Sequence, residues 1–202
     1  MKTTFLKAGI AAVLVLMFSA PAFAGRTYIV GKLGGYTPES SDLSGFSTDF
    51  NGELAIGNYL TRNIAVELGV GHLQTSEATF DPATGFFTGN EDIDATYVEG
   101  TAKLVFPINY YGNRRLEEPF MDLYVGGGGG VYFANDSNIG GTGISQSETV
   151  GGGHVLGGMD FSLGGGAFLG AETKYIFVKA FQTLPTRLDG FIFTANIGYK
   201  FP

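Results

Sequence analysis

Large apolar residues alternate with small or polar ones along most of this chain. The clearest run is Ile64 to Gly71, where Ile64, Val66, Leu68 and Val70 share one face and Ala65, Glu67, Gly69 and Gly71 the other. A period of two belongs to a β-strand, whose side chains point alternately to opposite faces. The preceding segment repeats it, with Phe50, Leu54 and Ile56 opposing Asn51, Glu53, Ala55 and Gly57, so the two runs predict a hairpin about Leu60-Thr61-Arg62. Further along, Val98, Ala102, Leu104 and Phe106 oppose Glu99, Thr101 and Lys103, and Met121, Leu123, Val125, Val131 and Phe133 oppose Asp122, Tyr124, Gly126, Gly128 and Gly130. Val155, Met159 and Phe161 then oppose His154, Gly158 and Asp160, and Leu169, Ala171, Thr173, Tyr175 and Phe177 oppose Gly170, Glu172 and Lys174. A last run sets Phe193, Ala195, Ile197, Tyr199 and Phe201 against Thr194, Asn196, Gly198 and Lys200. The Gly-rich segment Thr27 to Thr37, whose facing the pattern leaves open, brings the total to eight strands.

The connections alternate in length. Residues 38–49, 75–94 and 135–149 are long, polar and free of Lys and Arg, and residues 179–190 form a shorter fourth. Tight turns fall at 58–63 and 162–166, and a medium connection between Pro107 and Pro119 carries Arg114 and Arg115. Long loops at one end and short turns at the other predict an all-β fold, an eight-stranded antiparallel up-and-down transmembrane β-barrel. Such a barrel pairs every backbone group between strands and leaves no edge to lipid. A soluble β-domain would also alternate, but it would turn a charged face to water. Here the polar face is mostly Gly, Ala and Thr with isolated ions, a poor aqueous surface and a good lining for a narrow lumen.

Composition narrows the reading further. Charged residues are 15%, Gly accounts for 33 of 202 residues and aromatics for 14%. The 44% apolar content suffices for a packed fold, and the glycines keep no three-residue period, which excludes collagen. With no Cys, thiol catalysis, disulfides and thiolate metal sites are excluded. The net charge of −7 argues against a nucleic-acid partner, which would need clustered Lys and Arg. At the start, Lys2 and Lys7 precede the apolar run Ala8–Ala20, and Ala22-Phe23-Ala24 precedes Gly25. A basic start, a short apolar stretch and a small-x-small site define a secretory signal peptide, too short to span a membrane. Residues 1–24 are thus expected to be cleaved between Ala24 and Gly25, leaving 25–202 as the barrel domain.

Several segments together resemble the small outer-membrane β-barrel family that includes the OmpX-like and OmpA-type membrane domains. They are Tyr28-Ile29-Val30-Gly31-Lys32-Leu33-Gly34-Gly35-Tyr36, Ile64-Ala65-Val66-Glu67-Leu68-Gly69, Gly170-Ala171-Glu172-Thr173-Lys174-Tyr175 and Ala195-Asn196-Ile197-Gly198-Tyr199-Lys200-Phe201. The resemblance implies residence in the outer membrane of a Gram-negative bacterium, as a monomer among outer-membrane lipid and lipopolysaccharide. It also implies a terminal aromatic signal for the barrel-insertion machinery. Tyr199 and Phe201 have the spacing of that signal, although Pro202 follows and departs from the pattern.

Three sets of residues are candidates for function. Glu53, Glu67, Glu99, Asp122, Asp160 and Glu172 would face the lumen with Lys103, Lys174, Lys200 and His154, joined by Lys32 should its strand face that way. Buried charges persist when paired, so a salt-bridged network plugging the barrel is the expectation, and a polar path for a small solute the alternative. The second set is the acidic, aromatic loop with Glu77, Phe80, Asp81, Phe86, Phe87, Glu91 and Asp92, a candidate surface for an extracellular ligand or for cation bridging to lipopolysaccharide. The third is catalytic, and it fares poorly. No Ser follows His72 or His154 at two residues as in lipid A deacylases, and Asp160 and Ser162 lie six and eight residues from His154 along one strand. The run Gly126–Gly130 lacks the Lys-Ser/Thr of a phosphate loop and instead suits close packing or coiling of its strand. No metal or cofactor is expected. The reading is a non-catalytic barrel with a structural or surface-interaction role, against a passive conduit for small solutes or hydrophobic compounds.

Overall fold

The computed structural model describes residues 27–39, 49–81, 86–111, 114–115, 119–137, 145–178 and 189–201, with backbone alone at 75–81, 86–93, 110–111, 114–115, 135–137 and 145–147. The strands are β1 (Thr27–Pro38), β2 (Asp49–Tyr59), β3 (Ile64–Asp81), β4 (Phe86–Ile108), β5 (Tyr110–Tyr111), β6 (Arg114–Arg115), β7 (Met121–Ser137), β8 (Ser145–Gly164), β9 (Ala167–Val178) and β10 (Gly190–Lys200). Eight of them form one closed antiparallel barrel in the order β1-β10-β9-β8-β7-β4-β3-β2. Closure is visible at Tyr28, which stands opposite Gly57 on β2 and opposite Lys200 on β10. The expected eight-stranded barrel is therefore the fold. The medium connection adds a minimal ladder, Tyr110 opposite Arg115 and Tyr111 opposite Arg114.

Both described chain ends lie with the short turns. The turn between β8 and β9 is tight because Gly164, Gly165 and Gly166 all hold positive φ, at 87°, 62° and 90°, a region open to Gly and costly for other residues. At the opposite end two expected boundaries move. Residues 75–81 and 86–94 are strand rather than loop: Glu77, Phe80 and Asp81 lie on β3, and Phe86, Phe87, Glu91 and Asp92 on β4. Glu77 stands opposite Glu91 and Asp81 opposite Phe86, with a register shift between Thr79 and Phe80. Likewise 145–149 belongs to β8, paired to β7 as far as Ser145 opposite Ser137. The ladder continues because it needs only backbone N–H and C=O groups, whatever the side-chain alternation does.

The two faces of the wall differ as the alternation requires. Ile29, Leu33, Leu54, Val70, Val125, Val155, Phe193 and Ile197 point outward and are exposed. From Phe191 to Phe201 the closing segment spans about 34 Å at ~3.4 Å per residue, or about 26 Å along the axis at ~40° of tilt, close to the ~25 Å apolar band of outer-membrane barrels. β1, left open by the pattern, turns Tyr28, Val30, Lys32 and Tyr36 inward and Ile29 and Leu33 outward.

The inner face is bulkier than a lining of Gly, Ala, Thr and isolated ions. Large rings enter it by lying over glycines on neighbouring strands. A Cβ added at Gly57 would strike the Tyr28 ring, at Gly71 the Tyr97 ring, at Gly158 the Tyr124 ring and at Gly198 the Phe168 ring. Each glycine stands directly opposite its ring in the ladder. In the glycine run, a Cβ at Gly126 would press on Leu156 and Lys103, and one at Gly128 would enter the backbone of Gly100. These glycines make room for close packing.

Candidate functional site in the barrel lumen

Five strands bring seven charged side chains to one place inside the barrel. Lys32 on β1 sits at 2.9 Å from Glu53 on β2, 2.7 Å from Glu67 on β3 and 3.1 Å from Glu172 on β9. Lys103 on β4 reaches Glu67 at 2.7 Å and Glu172 at 3.2 Å. Lys174 on β9 reaches Glu53 at 2.6 Å and also pairs with Glu99 on β4. Every one of the seven side chains is 7% exposed or less, so these ions have exchanged water for each other. Alternation delivers them: each occupies the inward position of its strand, Lys32–Glu53 and Lys103–Glu67 pairing between adjacent strands and the other pairs reaching across the lumen.

Polar and aromatic groups complete the cluster. Tyr28 OH donates to Glu67 Oε2 at 2.9 Å, and Tyr97 OH lies 3.1 Å from Asn51 Oδ1 and 3.2 Å from Glu53 Oε2. The Lys103 ammonium stands 4.6 Å from the centre of the Tyr124 ring, and Lys174 5.4 Å from that of Tyr97. His154 on β8 is fully buried, with Nε2 at 2.9 Å from Thr101 Oγ1 and Nδ1 at 3.4 Å from Glu99 Oε2. Two apolar layers enclose these groups. Tyr36, Leu73, Tyr97, Tyr132, Ile176, Val178 and Ile192 pack on the side of the long connections. On the side of the turns, Tyr28, Val30, Ala55, Val105, Tyr124, Leu156 and Phe168 form the second layer.

The ten lumenal charges named from the sequence do not make one network. Glu53, Glu67, Glu99, Lys103, Glu172 and Lys174 meet in the cluster, with His154 against Glu99. Lys200 and Asp122 form a separate pair at 2.5 Å near the turns, more accessible at 20% and 10%. Asp160 stands opposite Asp122 across the β7–β8 ladder, its Oδ1 buried without a hydrogen-bond partner and lying where a Cβ on Gly170 would fall. Sequence reading set Asn51 and Tyr124 on the inward face without naming them for the site, missed Tyr28 and Tyr97, and left Lys32 open. Their signal was present in the inward parity of each strand, but Tyr fits either face of an alternating pattern.

The remaining candidates are dispersed. His72 lies on the outer wall, with Nδ1 3.2 Å from Thr96 Oγ1 and Nε2 3.9 Å from Asp94 Oδ1, where the apolar belt gives way to polar groups. Tyr199 and Phe201 point outward with ring centres 5.1 Å apart, and Phe201 N donates to Thr27 O at 2.7 Å. Ala22, Ala24, Gly25 and Pro202 lie outside the described residues. Among the described residues no group of three His, Cys, Asp or Glu side chains is placed to hold a metal ion.

A closed antiparallel barrel with an apolar outer wall and ions paired inside inverts the layout of a soluble protein, and it defines a transmembrane β-barrel. The chain belongs to the outer membrane protein β-barrel domain family, whose profile matches residues 10–201. No curated protein sequence matches it. Among solved structures it is similar to Neisserial surface protein A, with 15% identity over 87% of this chain and 97% of that one at a TM-score of 0.62. It is also similar to OprG of Pseudomonas aeruginosa, with 13% identity over 88% and 96% at 0.55. The N-terminal barrel domain of OprF from the same organism gives 11% identity over 88% and 99% at 0.54. At these identities the likeness is one of fold.

Proposed function

We propose that this protein is a sealed, non-catalytic barrel of the outer membrane, exported by cleavage after Ala24, with a structural or surface-interaction role. The observation that carries the reading is the buried cluster of three lysines and four glutamates between two apolar layers. An eight-stranded barrel has an interior that side chains just fill, and here they fill it with rings and paired ions. A solute crossing the lumen would have to displace both apolar layers and separate buried ion pairs. The barrel is then a rigid platform, and the polar β3–β4 ribbon beyond the apolar belt is the part it presents for surface contact. The non-catalytic reading is supported by His154, whose ring is enclosed between Thr101 and Glu99, out of reach of a lipid or aqueous substrate.

Planar-bilayer recording of the refolded chain tests this reading. No stable conductance is expected, and reproducible discrete openings would overturn the sealed lumen in favour of a conduit.

A further inference from the structure

The charges of the lumenal cluster do not balance. Lys32, Lys103 and Lys174 face Glu53, Glu67, Glu99 and Glu172, three positive against four negative, in a site closed to bulk solvent. Near the turns, Lys200 lies with two acids, Asp122 and Asp160, so among the described residues no surplus cation comes from there. An uncompensated buried charge costs several kcal/mol, and proteins avoid it by pairing or by taking up a proton. The shortfall can be located. Glu67, Glu172 and Glu53 each contact two lysines, whereas Glu99 contacts Lys174 alone and turns its Oε2 toward His154 Nδ1 at 3.4 Å. Neither of these two atoms meets another partner in hydrogen-bond geometry, the Tyr132 hydroxyl that also faces Glu99 being likewise unpartnered, and the His154 side chain is fully buried.

We propose that His154 and Glu99 together form a proton-binding site that holds one proton beyond that of a neutral imidazole, making the cluster electrically neutral. The inference rests on the sealed-lumen reading. The proton sits on Nδ1 as an imidazolium facing a carboxylate, or on Oε2 as a carboxylic acid facing an imidazole, and either way the pair carries no net charge. In both arrangements Nε2 bears hydrogen and donates to Thr101 Oγ1. Without the extra proton, the arrangement that satisfies both ring nitrogens is the other tautomer, with Nδ1–H donating to Glu99 and the Thr101 hydroxyl donating to a bare Nε2. The protonation of Nε2 thus reports the net charge of the pair. The groups around this site are Lys32 from β1, Glu53 from β2, Glu99 and Thr101 from β4, Tyr132 from β7, and Glu172 and Lys174 from β9.

The linkage has a definite sign. If the folded barrel holds a proton that the unfolded chain has released, stability falls as pH rises through the range in which the pair deprotonates, by up to tenfold in the folding equilibrium constant per pH unit. The experiment uses the chain refolded in detergent with nitrogen-15 histidine and His72→Gln, so that one imidazole remains. Its ring nitrogens and its urea unfolding are followed from about pH 6 to about pH 10, a window that brackets an ordinary imidazole from above. A protonated Nε2 at neutral pH is expected, with stability falling toward high pH. Glu99→Gln, which leaves three lysines against three glutamates, is expected to lose that fall. A bare Nε2 at neutral pH overturns the proposal, as does an equal pH slope in the Glu99→Gln variant. So does stabilisation at fixed pH by added sodium or potassium, which would place a metal cation where the proton is argued to be. If Glu99→Gln fails to refold, the imidazole spectrum decides alone. Failure of the sealed-lumen reading would look different, with discrete bilayer conductance and rapid exchange of the ring N–H with solvent.

Discussion

Lys174 ties together two of the four glutamates of the cluster. Its ammonium pairs with both Glu53 and Glu99 in a site that is 2% exposed or less, so Lys174→Met leaves two buried carboxylates short of a partner. Breaking one side of a buried ion pair costs about 3–5 kcal/mol. Urea unfolding of the refolded barrel should show a loss of that size, and adding Glu53→Gln should return part of it, the signature of coupled neighbours. Much of this site was legible in the sequence, because Glu53, Glu67, Glu99, Glu172 and Lys174 each stand on the face of their own strand opposite its large apolar residues. Lys32 was not, since Gly31, Gly34 and Gly35 around it erase the contrast between faces. The rings were missed for a different reason. Tyr28 and Tyr97 are large enough for the lipid face and polar enough for the lumen, and each lies over a glycine on the strand opposite, a relation between strands that no single strand displays.

At the scale of the strand, depth in the membrane decides what a substitution costs. On β3 the outward positions run from Ile64 beside the turn, through Leu68, to His72 where the polar rim begins. Leu68→Arg near the midplane should cost about 2–4 kcal/mol and Ile64→Arg about 0–1 kcal/mol, a gradient measurable by denaturant unfolding in lipid vesicles. Equal costs at the two sites would contradict the assigned depth. The upper ends of β3 and β4 escaped sequence reading because Thr75 to Asp81 and Phe86 to Ile93 mix polar and apolar residues without alternation, while the backbone ladder runs on regardless. That ribbon is separable from the barrel. Removing residues 78–90 joins Glu77 to Glu91, which stand opposite each other, as a two-residue turn closing on the pair Ser76 and Asp92. The shortened chain should still refold and shift its gel mobility on boiling, whereas loss of the shift would show that the ribbon supports the barrel below it.

At the scale of the whole molecule, the cluster binds distant parts of the chain to one another. Lys32 on the first strand contacts Glu172 on the ninth, 140 residues away, and Lys174 contacts Glu53 across 121. Charge partners so far apart exist only once the first and last strands have met. A curled but unclosed sheet in lipid would keep the adjacent-strand pairs Lys32–Glu53 and Lys103–Glu67 but leave Glu99, Glu172 and Lys174 without their partners across the lumen, at ~3 kcal/mol for each, or about 9 kcal/mol in all. A penalty of that size constrains the order of assembly. The seam between β1 and β10 must close as the wall enters the bilayer, while the acids and lysines can still find each other from water. The ion cluster is in this sense a checkpoint on biogenesis, admitting to the membrane only chains whose two ends have already joined.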